Sequence, residues 1–137
     1  MQNCSQAQSG FAIITVNQTP TATINGTTAV CQNSTSPDIT FTGANGTAPY
    51  TFTYNINGGT NQTVTTTSGN SVTVSAPTTA TGTFAYNLVS VSGAKNCSQA
   101  QPGSAIITVN PAPTATISGT TAVCQNGSSP NITFTGA

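Results

Sequence analysis

The side chains able to do chemistry in this 137-residue sequence are few enough to take one by one. There are four cysteines (Cys4, Cys31, Cys97 and Cys124), one lysine (Lys95), one aspartate (Asp38) and three tyrosines, with no Arg, Glu or His. Acid–base and phosphoryl-transfer catalysis need an imidazole, a carboxylate pair or a cationic clamp at the reacting bond, and none can be assembled from this set. The sequence therefore reads as non-catalytic, with no cofactor. The same shortage argues against nucleic-acid binding, which needs Lys and Arg to displace counterions, and against a basic membrane-surface helix. Calcium would have carbonyl oxygens but almost no carboxylates to bind, so no metal is expected.

Thiols without His and without a CxxC pair point to disulfides rather than to zinc or redox chemistry, and so to an extracellular address. No apolar run reaches the ~20 residues of a membrane helix, and MQNCSQAQSG lacks a basic start and an apolar stretch. A soluble segment is expected, with any export signal elsewhere.

The cysteines also expose the organisation of the chain, because Cys4 and Cys97, and Cys31 and Cys124, are each 93 residues apart. Residues 3–44 realign with residues 96–137, with 34 identities in 42 positions. A period this long exceeds a solenoid turn and suits beads on a string, each with its own core. Pro20, Pro111 and Pro113 mark the joints. One complete repeat then spans 20–112, while 1–19 reads as the closing strand of a preceding copy and 113–137 as the opening strands of a following one. Neighbouring copies, head to tail, are the expected partners.

Two pairings of the cysteines keep the translational logic of such an array. Either Cys31 bonds Cys97 inside one bead, the favoured arrangement, or Cys4 bonds Cys31 and Cys97 bonds Cys124 across joints. An in-bead bond closes a loop that contributes about 4 kcal/mol on the chain-entropy argument. Cys31 precedes the second core strand and Cys97 follows the sixth, so the stretch from Gly93 to Ser104 must fold back, or Cys31 must reach the next bead.

Positioning these groups falls to strands. Tyr50, Phe52, Tyr54 and Ile56 alternate with Thr51, Thr53 and Asn55, and the same period of two runs through Ile39 and Phe41, Val72 and Val74, Phe84, Tyr86 and Leu88, and Ile107 and Val109. Clusters such as GANGTAP, NGGTN and SAPTTATG punctuate at turn spacing. Six to eight short strands imply an antiparallel β-sandwich, and strands of about ten residues, roughly 33–35 Å, predict an axial repeat of about 40 Å.

The runs APYTFTYNINGGT, ATISGTTAVCQNGSSPNITFTG and NCSQAQPGSAIITV together resemble the PKD-like, immunoglobulin-like tandem repeats of long secreted bacterial surface adhesins. YNINGGT stands where PKD domains carry a WDFGDGT-type turn, with Tyr54 for the Trp and Asn55 and Gly58 at its two acidic positions. TGTFAYNLVSV is similar to the family's penultimate strand. The resemblance implies all-β, Ig/PKD-like beads in tandem, acting as the stalk or fibre of a cell-surface protein. The alternative function is a glycan-binding adhesin module, in which Tyr50, Phe52 and Tyr54 would stack on sugar; their shared parity with Ile56 argues for core packing instead. Lys95 and Asp38 are candidates for a Lys-to-Asx isopeptide bond, and the repeat replaces them by Gln2 and Asn131, which argues for two solvated residues.

Two charges on a soluble surface leave its dispersion unexplained. Nine of the 14 Asn lie in N-x-S/T sequons: Asn3, Asn17, Asn25, Asn33, Asn45, Asn61, Asn96, Asn126 and Asn131. Chance at this Ser and Thr content gives about four or five. A glycoprotein is expected, with these Asn or the abundant Ser and Thr as attachment points.

Overall fold

The computed structural model describes residues 2–137, which form strands and connecting turns with no helix among the described residues. β1 (Thr21–Asn25), β3 (Asp38–Ala44) and β6 (Ser71–Ser75) build an antiparallel sheet in the order β1-β3-β6. A second sheet runs β2-β9-β7-β4-β5, from β2 (Thr28–Cys31), β9 (Ser104–Asn110), β7 (Gly82–Ser92), β4 (Thr51–Ile56) and β5 (Gln62–Thr65). β8 (Ser98–Ala100) pairs with the last residues of β7.

The period-two pattern does what its chemistry requires. Ile39 and Phe41 of the first sheet and Phe52, Tyr54, Tyr86, Leu88, Ile107 and Val109 of the second are buried in one cluster. Phe41 meets Phe52 and Tyr54 across the sheets at ring centroid distances of 5.6 and 5.1 Å, so the two sheets face each other. The outer faces carry hydroxyls, with Thr42 against Ser71 at 2.9 Å and Thr51 against Thr65 at 2.8 Å. The all-β expectation holds.

Two features depart from a plain antiparallel alternation. β2 runs parallel to β9, because the chain leaves the first sheet after β1 and joins the second. Gly26 makes that crossing at φ 129°, where a Cβ would lie 2.5 Å from the Asp38 carbonyl oxygen. In β7, Leu88 pairs with Tyr54 and Ser90 with Thr53, leaving Val89 as an extra residue opposite β4. That bulge resets the parity, so Val91 is buried although it is out of phase with Phe84, Tyr86 and Leu88.

The strand directions give the two-sheet unit a proximal pole, where Pro20 leads into β1, and a distal pole, where β9 ends at Asn110. Beyond the distal pole, β10 (Ala115–Ser118) and β11 (Thr133–Gly136) pair antiparallel by themselves. Ala115 faces Gly136 and Ile117 faces Phe134, the register of Ala22 with Gly43 and Ile24 with Phe41 moved on by one period. Residues 2–19 form no strand. Ile14 and Val16 are 88% and 90% exposed, whereas their counterparts Ile107 and Val109 are 0% and 2% exposed. The same side chains bury only where β4 and β7 stand behind them.

Candidate functional site

The two poles of the two-sheet unit hold its Lys95, Asp38, Cys31 and Cys97 and the cavities described below. At the proximal pole a cavity of about 220 Å³ lies between the incoming residues Val16, Asn17 and Gln18 and the turn that carries Lys95 and Cys97. That turn is held by the Gly93 amide donating to the Cys97 carbonyl at 3.0 Å and the Ala94 amide donating to the Thr47 carbonyl at 2.8 Å. The neighbouring loop is tied to β1 by Asn45 Nδ2 donating to Thr21 Oγ1 at 3.0 Å.

At the distal pole Cys31 is the Cα partner of Asn110 in the parallel β2–β9 pair, and the Gln32 amide donates to the Asn110 carbonyl at 2.7 Å. Gln32 Nε2 and the Asn33 amide extend this network to the Thr79 and Thr78 carbonyls. Thr78 Oγ1 is buried and donates to the Ser34 carbonyl at 2.6 Å. Beside it lies an apolar notch of about 310 Å³ lined by Ile56, Pro77, Phe84 and Tyr86 among others. Burial, and secondarily the neighbouring Tyr54, raises the Tyr86 phenol above its ordinary value.

All four cysteines are free thiols. The Cys31–Cys97 bond expected inside one bead is corrected by the strand order. Cys31 lies level with the start of β7, since Gly82 pairs with Val109, while Cys97 follows the end of β7 at the other pole. The 11 residues of β7 run roughly 33 Å at about 3.3 Å per residue, and a disulfide tolerates Cα separations of only about 4.4–6.8 Å. Asp38 and Lys95 are parted in the same way: Asp38 opens β3 at the distal pole and accepts from Ser75 Oγ at 2.8 Å, and Lys95 lines the proximal cavity.

The other sequence candidates fall as follows. Tyr50, Phe52 and Tyr54 are buried, at 2%, 0% and 5% exposure, which removes them as a sugar platform. Asn55, in the YNINGGT turn, accepts from the Gly58 amide at 3.0 Å and from Asn87 Nδ2 at 3.1 Å, so its side-chain amide closes the turn. All nine sequon asparagines are exposed. Asn33, Asn45, Asn96 and Asn126 also take positive φ, which gives those four a backbone reason to be Asn.

Sequence reasoning missed the proximal cavity and the distal notch. The signal for the first lay in the repeat itself, since Asn17 and Asn110 are the same residue one period apart. Nothing in the one-dimensional pattern foretold the notch, which forms where Pro77, Thr79 and Ala80 come together with Ile56 at the end of β4 and with Phe84 and Tyr86 of β7. The chain matches no protein-family model and no curated protein sequence.

Proposed function

We propose that this chain is a non-catalytic, extracellular structural repeat: Ig/PKD-like β-sandwich beads in tandem, strung head to tail into the stalk or fibre of a bacterial surface protein. The observation that carries this reading is where the polypeptide enters and leaves the two-sheet unit. The polypeptide reaches the two-sheet unit at one pole and leaves it at the other, on β9, so successive copies add along one axis. The β10–β11 pair supports it by opening a further copy in the register of β1–β3. The strand orders β1-β3-β6 and β2-β9-β7-β4-β5, with a first strand divided between two sheets, agree with an Ig-like bead. Its partners are further copies of itself, and the exposed sequons supply sites for glycans on a surface that has almost no charge.

A glycan-binding module is the second reading, favoured by one observation, the apolar distal notch with Phe84 and Tyr86 in its wall. Glycan-array binding that Phe84→Ala abolishes would select it.

The fibre reading is tested by lengthening the chain in whole periods and measuring its maximum dimension by small-angle X-ray scattering. Each added 93 residues should extend the particle by about 40 Å, one strand length plus a short joint. A particle that grows in girth with no gain in length sinks the reading. Intact-mass analysis of native material tests the glycans separately, where the bare polypeptide mass would remove them.

A further inference from the structure

We infer that a disulfide crosses each joint of the array, linking Cys31 of one copy to Cys97 of the copy that follows it. The inference rests on the fibre reading above and adds a covalent lock to it. Cys31 is the strand partner of Asn110, so it stands about 4.8 Å, one strand spacing, from the residue on which the chain leaves its bead. Asn17 is that same residue one period earlier, and it lines the proximal cavity together with Cys97. A preceding copy folded like this one holds its own Cys31 beside Asn17, as Cys31 is held beside Asn110. Two thiols, one from each copy, therefore border a single residue of the joint. Cys31 is exposed and Cys97 half-buried, so both can be reached, and the Gly93–Cys97 and Thr47–Ala94 hydrogen bonds hold the Cys97 turn in place.

This placement accounts for all four cysteines at once. Cys4 belongs to the proximal pole of the copy before and Cys124 to the distal pole of the copy after, so no two thiols of this chain are partners. Each copy gives one thiol forward and one back, which repeats indefinitely under translation. Oxidation proceeds by exchange with a small disulfide such as glutathione disulfide. One cysteine thiolate attacks its S–S bond and releases one glutathione thiol. The second cysteine thiolate attacks the resulting mixed disulfide and releases the other. The cysteine pair loses two electrons and two protons, and both appear in the two glutathione thiols.

The test is the full chain lengthened by one period, with residues 45–137 appended after Ala137, folded in a glutathione redox buffer and digested without reduction. With Cys97 of the original copy changed to Ser (Cys97→Ser), the appended copy alone holds a cysteine in the sequence NCSQAQPGS. Mass spectrometry of that variant should find one linked peptide, joining Cys31 to the Cys97 counterpart in the appended copy. Its absence from the variant, where the unaltered chain gives it, identifies a bond to Cys97 itself. Reduction, which leaves every side chain in place, should abolish it, as should Cys31→Ser. A Cys31–Cys97, Cys4–Cys31 or Cys97–Cys124 peptide, or a free Cys31 thiol, overturns the inference. Scattering on the same sample separates the two ideas: a particle that lengthens while Cys31 stays free refutes the disulfide alone, and one that does not lengthen refutes both.

Discussion

Tyr50 sits so close to Gly43 that a Cβ there would lie 2.5 Å from its ring, and its hydroxyl accepts from the Gly46 amide at 3.2 Å. Gly43→Ala must therefore push the ring out of the core, and a loss of about 1–3 kcal/mol is expected from overpacking of this kind, read by denaturant unfolding. Phe52, fully buried and stacked between Phe41 and Tyr50, should cost about 3–5 kcal/mol as Phe52→Ala. Tyr86 makes a different prediction. Its folded pKa is raised by burial, so its contribution is complete below the ordinary tyrosine value of about 10 and is lost as pH rises through the folded value. The melting temperature should fall in strong alkali, and Tyr86→Phe should lessen that fall. Acid should do little, since acid denaturation works mainly through paired carboxylates and the sequence has one carboxylate side chain. A melting temperature that collapses at low pH would contradict this.

At the scale of elements, β4 was legible because its alternation is unbroken and one face is aromatic, so only one orientation buries Phe52 and Tyr54. β7 was legible only as far as Leu88. The Val89 bulge is a property of its pairing with β4, and no residue type in NLVSV announces it. β2 carries too few residues to show a period, so its parallel pairing with β9 could not be read from TAVC. The poles of the cysteines depend on that pairing, which is why a bond within one bead looked feasible from spacing alone. The bulge yields a test. Deleting Val89 leaves Leu88, Ser90 and Val91 in continuous alternation against β4, and the domain should keep one cooperative unfolding transition. Deleting Asn87 turns Phe84 and Tyr86 outward, and that transition should vanish. Equal damage from both would show that the bulge is not what sets the register.

For the whole molecule, the direction of the chain through the fold fixes how it meets a pull. In the proposed array, a load along its axis would draw β1 and β2 backward from the proximal pole and β9 forward from the distal pole. β2 and β9 lie side by side and parallel, from Thr28 with Ile107 to Cys31 with Asn110. Their hydrogen bonds lie across that pull and bear it together, in shear, so none can open like a zipper tooth ahead of the rest. In such an array the short parallel pair would be a tensile clasp, and each copy would yield as a unit once it slips.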